Sequence, residues 1–230
     1  MKILGVIPAR GGSKRLKDKN IKSLASKPLI QYTIEAALAS TLLSKVIVST
    51  DSQMIADMAK KMGAEVPFLR PEELAGDLSG SFEVLEHALD FFKKKGELFD
   101  MIVMLQPTSP LRIAEDIDEA IKSIIDNDFL AVVSVCKTEH SPLWMNTLPQ
   151  NQSMKDFLSH KELKHTRSQD LPDYYRLNGA VYVANTPYYR ENKGFFGEKT
   201  KAYIMPQDRS VDIDNELDFM QVESLLKMRD

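Results

Sequence analysis

Met1–Asn20, MKILGVIPARGGSKRLKDKN, decides how the rest of the chain is read. Ile3 to Ile7 form a short apolar run of the kind that makes a buried strand in a parallel sheet. Pro8 has no N–H to donate to a ladder, so the strand ends there. Gly11 and Gly12 then expose backbone N–H groups, with Arg10, Lys14, Arg15, Lys17 and Lys19 around them. Backbone donors and cations gathered at the carboxyl end of a strand suit a polyphosphate. A cation cluster of this size is equally common as a solvated turn, and its place directly after the first strand favours the phosphate. Neither GxxxxGK[ST] nor GxGxxG is present, so this is not one of the two commoner phosphate loops.

Composition narrows the field. A chain of 230 residues suffices for one large α/β domain. Net charge −3 and a pI near 5.9 argue against general nucleic-acid binding. The single cysteine, Cys136, lies in the strand-like run AVVSVC and reads as a buried, inert thiol. It excludes an intrachain disulfide and fits a reducing cytoplasm. No signal-peptide pattern and no long apolar run appear, so neither secretion nor a membrane span is expected. His87, His140, His160 and His165 have no HExxH spacing, and GxSxG is missing, leaving zinc and acyl-transfer chemistry without support.

Outward from the loop, strands and helices alternate. QYTIEAALAS is a helix and Lys45–Thr50 (KVIVST) a second buried strand. Thr50-Asp51-Ser52 supplies N-cap chemistry to the helix QMIADMAKKMG, Asp51 being read as part of the cap and Gly63 as its close. Met54, Met58 and Met62 recur at helical spacing and read as core. Arg70 and Ser81 bracket RPEELAGDLSGS ahead of another helix, where a hydroxyl serves either as cap or as ligand donor. DMIVML is a strand ending in QPTSPLR, an extended turn where α/β ligands sit, with Arg112 read as structural. Leu130–Val135 and AVYVAN are further strands. Residues 138–178 lose periodicity, yet Leu143, Trp144, Met145, Phe157 and Leu158 need burial, which suggests an arm that packs on something. Near the end, Asp212-Ile213-Asp214 in extended geometry turns two carboxylates to one side, a fit for Mg²⁺ beside a triphosphate. An acidic helix start is the competing reading of that pair.

IPARGGSKRLKDKN resembles the signature loop of the acylneuraminate (CMP-sialic acid synthetase) family of cytidylyltransferases, and LQPTSPLR and SVDID extend the likeness along nearly the whole chain. The resemblance implies a Rossmann-like, doubly wound, mostly parallel α/β sheet, akin to nucleotide-diphospho-sugar transferases, with 138–178 as a dimerisation insertion reaching over a partner's active site. It implies triphosphate contacts from Arg10, Ser13, Lys19 and Asn20, and cytosine and ribose contacts from Arg70 and Ser81. It carries Gln106, Thr108, Ser109, Arg167, Tyr182, Phe195 and Phe196 over as contacts for a nonulosonic acid, Arg167 meeting the carboxylate. Mg²⁺ on Asp212 and Asp214 completes the expectation: CMP passes from CTP to the acid in a cytoplasmic homodimer, with Arg10 and Lys19 stabilising the departing pyrophosphate. A nucleotide-binding regulator without catalysis is the alternative of another class; it needs the loop but not the aspartate pair. QPTSPLR favours neuraminic or legionaminic over pseudaminic acid. Trp144 stands where several bacterial sialic-acid enzymes carry Lys, so it is expected to shape acid selectivity.

Overall fold

The computed structural model describes residues 1–12, 16–76, 80–158 and 167–228. Ser13 therefore lies outside the described residues. A six-stranded sheet has the order β4-β1-β5-β7-β6-β8, built from β1 (Ile3–Pro8), β4 (Lys45–Ser49), β5 (Met101–Met104), β6 (Ala131–Lys137), β7 (Tyr175–Asn185) and β8 (Thr200–Ile204). All neighbours are parallel except β7, which runs antiparallel to both β5 and β6. A two-stranded ribbon, β2 (Ser23–Leu24) with β3 (Lys27–Pro28), follows the first loop.

Alternation along β1 sends its side chains to two layers. Ile3 and Ile7 face α1 (Leu29–Ala39), α2 (Gln53–Lys61) and α4 (Ala114–Ile125). Leu4 and Val6 face α3 (Ser81–Lys94) and α5 (Thr186–Glu191). Burying one such side chain contributes about 1.5–3 kcal/mol, which is why the central strands read as unbroken apolar runs. A third, smaller cluster sits beyond the carboxyl edge of the sheet. It joins Leu16, Leu24, Leu29, Leu111 and Ile213 to Phe219 and Val222 of α6 (Glu216–Lys227).

Several expectations are met in detail. Cys136 is buried, and Gly63 takes φ +92 just past α2. Others are corrected. The buried face of α2 is Ile55, Ala56 and Ala59, while Met54 points outward, 60% exposed. The strand that carries AVYVAN begins at Tyr175, because Tyr175, Arg176 and Leu177 pair with Lys137, Cys136 and Val135. The segment outside the sheet thus shortens to 138–174. Among the described residues no helix is long and apolar enough to cross a membrane.

Between α1 and β4 the chain turns on Asp118 of α4. Its carboxylate accepts from the Ser40 hydroxyl, the Thr41 hydroxyl (2.7 Å) and the Thr41 N–H (3.0 Å). Burial pushes the Asp118 pKa up, but these hydrogen bonds outweigh it and hold the group below its ordinary 3.8. A carboxylate depressed in the folded state stabilises the fold above its ordinary pKa, and that stability fades as pH falls through the folded value. Asp118→Ala should cost about 2–3 kcal/mol, since hydrogen bonds to charged groups are worth about 1.5–3 kcal/mol. Thermal melts from pH 7 down to 3 should show this deficit shrinking as the wild type loses the same contribution. A deficit that stays constant with pH would mean that the Asp118 charge is not what holds the turn.

Candidate active site

The carboxyl ends of β1 and β5 open onto a cavity of about 360 Å³. Pro8, Arg10, Lys19, Asn20, Arg70, Ser81, Gln106, Thr108, Asp212 and Asp214 are among its lining residues. Five separate stretches of sequence therefore meet at one place.

The floor is made by mutual stitching of those stretches. Asn20 is buried and its amide donates to the Arg10 carbonyl (2.9 Å), closing the loop on itself. The Lys19 ammonium donates to the Ile213 carbonyl (2.8 Å) and stands 3.6 Å from an Asp214 oxygen. The Ile213 N–H in turn donates to the Thr108 carbonyl (2.8 Å), and the Thr108 hydroxyl reaches Asp212. Ile213 is fully buried, so Asp212 and Asp214 on either side of it both face the cavity. They are not the cap of α6. Asn215 fills that role, accepting from the N–H groups of Leu217 (2.8 Å) and Asp218 (3.1 Å).

Asp212 is electrostatically poised. Burial raises its pKa, and Asp214 raises it further, while the Thr108 hydroxyl and Lys19 pull it down. Its Oδ1 is buried with no hydrogen-bond partner among the described residues. A buried carboxylate oxygen left without a donor is costly unless a cation takes it, which fits a hard divalent ion. Among the described residues no group of three or more His, Cys, Asp or Glu is gathered for a metal. An ion here would need ligand oxygens from a bound phosphate as well as from the aspartates.

Arg70 closes the opposite wall. It is 7% exposed, and Nε and Nη2 have no hydrogen-bond partner among the described residues. Burial lowers its pKa, and Asp51, 3.7 Å away, raises it. Asp51 is a correction: Ser52 caps α2 by accepting from the Ile55 N–H, whereas the Asp51 carboxylate accepts from the Gly11 N–H at 2.9 Å. Its signal in the sequence was its seat at the end of β4. Ser81 opens α3 behind Gly80, which holds the N-cap position, so its hydroxyl is not the cap.

Other expected site residues fall elsewhere. Ser109 is fully buried and donates to the Asn178 carbonyl (3.3 Å), away from the cavity. Arg112 is structural as read: it donates to the Ala180 carbonyl (2.7 Å) and the Thr33 hydroxyl (2.6 Å). Burial pulls its pKa down to about 9 against the opposing pull of Asp116. Tyr182 is buried, close enough to Asp212 for that charge to raise its pKa further after burial has done so, but it does not line the cavity. Phe195 packs in the core against Tyr182 and Tyr189, and Phe196 is 58% exposed. Neither lines the cavity: Phe195 belongs to the apolar layer with Tyr182 and Tyr189, and Phe196 faces solvent. Arg167 is exposed and paired with Asp170 at 2.9 Å. Trp144 ends a single 3₁₀ turn, Pro142–Trp144, and is absent from the lining. A second cavity of about 530 Å³ shares Asp212 with the first and carries Arg176, which bonds Glu139 (3.2 Å) and the Ser210 carbonyl (3.3 Å).

Sequence comparison agrees with this geometry. The family described as Cytidylyltransferase matches residues 4–229. The chain belongs to the cytidylyltransferases. Among its relatives is the CMP-N,N'-diacetyllegionaminic acid synthase of Legionella pneumophila, 40% identical over 99% of this chain and 97% of that one. The N-acylneuraminate cytidylyltransferase of Escherichia coli is 41% identical over 95% of this chain, which spans half of that protein's length. A pseudaminic acid cytidylyltransferase of Campylobacter jejuni is 31% identical over 96% of both chains. The solved CMP:2-keto-3-deoxy-manno-octonic acid synthetase complexed with CTP superposes with a TM-score of 0.73 over the whole of both chains, at 16% identity, and shows the shared fold. This cytidylyltransferase is an enzyme of the nonulosonate (sialic acid) branch, with the Rossmann-like nucleotidyltransferase architecture.

Gly179 lets the two sides of the site approach. It has φ +73, and a Cβ there would stand 2.7 Å from Gln106 Oε1 and 3.7 Å from the Asp212 carboxyl carbon. Gly179→Ala should cost about 1–2 kcal/mol from the left-handed backbone and push the Gln106 side chain out of place. The expected reading is a modest drop in melting temperature with a larger loss of turnover. Equal, small effects on both would remove Gly179 from the organisation of the site.

Proposed function

We propose that this cytidylyltransferase moves CMP from CTP to the anomeric hydroxyl of a nonulosonic acid of the N-acylneuraminate type, releasing pyrophosphate. The observation that carries the reading is the convergence of Arg10, Lys19, Arg70 and the aspartate pair on one cavity. The hydroxyl oxygen forms a bond to the α-phosphorus, the bond from that phosphorus to the bridging oxygen breaks, and the hydroxyl proton leaves to solvent or a base. Arg10 and Lys19 face the charge that builds on the departing pyrophosphate. Arg70 and Ser81 offer donors to the cytidine, and Gln106 and Thr108 offer neutral partners to the sugar acid. Arg176, in the cavity that shares Asp212, is better placed than Arg167 to meet the acid's carboxylate within one chain. Asp212 and Asp214 would hold Mg²⁺, which supplies a Lewis acid for phosphate oxygens. Asp212 is suited to that role by its unpartnered, buried oxygen.

Legionaminic acid is the second reading of the acceptor, supported by the likeness to the Legionella synthase over nearly the whole of both chains. Pyrophosphate release from CTP and Mg²⁺ with a panel of neuraminic, legionaminic and pseudaminic acids, compared by kcat/KM, tests both. No release with any of these acids would overturn both readings of the acceptor. Asp212→Asn and Asp214→Asn should each lower turnover on the order of 10²–10³-fold while the fold persists. Near-normal activity of the double variant would overturn the assignment of the metal.

The same reading includes a homodimer. Met145, Leu148 and Met154 in the segment 138–174 are more than half exposed, as is Leu177 beside it, and none belongs to the three apolar clusters. A second copy would cover them and bring Arg167 towards a neighbouring site. Sedimentation at micromolar concentration should give a dimer; a fully active monomer would refute it.

A further inference from the structure

Asp51 stands at the end of β4, beside β1 in the sheet, and touches both sides of the candidate nucleotide site. Its Oδ1 accepts from the Gly11 N–H at 2.9 Å, and the same oxygen lies 3.7 Å from Arg70 Nη2. Arg70 is anchored to the same strand end, since its N–H donates to the Thr50 carbonyl at 2.7 Å. Its guanidinium is buried, and among the described residues Asp51 is the anion in range. The packing at the junction is close: a Cβ on Gly11 would stand 3.0 Å from Ser52 Cβ. The loop and Arg70 are thus braced on one carboxylate and have little room to shift independently.

We infer that Asp51 is a positioning residue that ties the phosphate-facing loop to Arg70, so that cytidine recognition and triphosphate capture are energetically coupled. This rests on the reading of the cavity as the CTP site. One charge serves two purposes. It orients the Gly11 amide, and with it the start of the loop, and it holds the buried guanidinium of a residue that lines the cavity. Asparagine keeps an oxygen for the Gly11 N–H but removes the charge from Arg70. Alanine removes both. The two substitutions therefore separate the two halves of the tie.

Calorimetry of the wild type with CTP comes first; no binding would sink the reading of the cavity itself. Given binding, Asp51→Asn should raise KM for CTP about 10–100-fold, the weight of losing a charge 3.7 Å from a buried guanidinium, with kcat and KM for the acid little changed. Inhibition by CMP should weaken in Asp51→Asn while inhibition by tripolyphosphate persists, and both should weaken in Asp51→Ala. In an Arg70→Ala background the effect of Asp51→Asn should largely vanish. If Asp51→Ala fails to fold, the nearly isosteric Asp51→Asn still decides. Unchanged CTP affinity, equal losses for CMP and tripolyphosphate in Asp51→Asn, or full additivity with Arg70→Ala would each overturn the inference, leaving Asp51 a purely structural anion.

Discussion

Three segments that carry cleft residues are clamped by one small apolar contact. Leu16 belongs to the first loop, Leu111 to the turn after β5 and Ile213 to the aspartate segment, and all three are buried together beyond the edge of the sheet. Burying Ile213 fixes the backbone on both sides of it, so Asp212 and Asp214 must present their carboxylates to the cavity. The polar links then follow at short range: Lys19 to the Ile213 carbonyl, and the Ile213 N–H to Thr108. Without the apolar clamp these hydrogen bonds would have to order three solvated segments, a conformational cost of about 1–2 kcal/mol for each residue fixed.

The reversed direction of β7 is the second constraint. An antiparallel strand between β5 and β6 carries its first half, with Asn178 and Gly179, towards the carboxyl ends of its neighbours. Asn178 is buried there and saturated by Ser134, Ser210 and the Ala180 N–H. Ser210 stands two residues before Asp212, so this polar knot sets where the acidic segment starts. The register shift between Val133 and Val135 gives Ser134 the room to reach both Asn178 and the Val181 N–H.

The alternation of apolar runs and helical periods made the layered α/β fold legible, because buried parallel strands must be apolar on both faces. The loop stood out by its place after the first strand and the aspartate pair by its spacing, while Arg70 and the roles of the QPTSPLR turn came from the family resemblance. Local chemistry misled where two neighbours offered the same group. Asp51 and Ser52 both suit a helix cap, and only the geometry gives the cap to Ser52. Ser109 sits in the same turn as Thr108, yet one residue along the chain its hydroxyl faces the core. Phe195 and Phe196 differ in the same way, one buried and the other exposed, neither lining the cavity. Spacing alone could not separate them, since they are adjacent in the chain and differ only in the side to which each is turned.

The bond from Lys19 to the Ile213 carbonyl spans 194 residues. Closing so long a loop is entropically slow, and the reward comes only when both ends exist. On the ribosome the first loop emerges early, with its cations exposed, while the segment that receives it is made 194 residues later. At a synthesis rate of about 5–20 residues per second, the gap is on the order of 10–40 seconds. The central sheet can begin to assemble in that interval from β1, β4 and β5. The far wall of the cavity cannot, so the sheet precedes its cleft, which closes only once Asp212, Ile213 and Asp214 have been made.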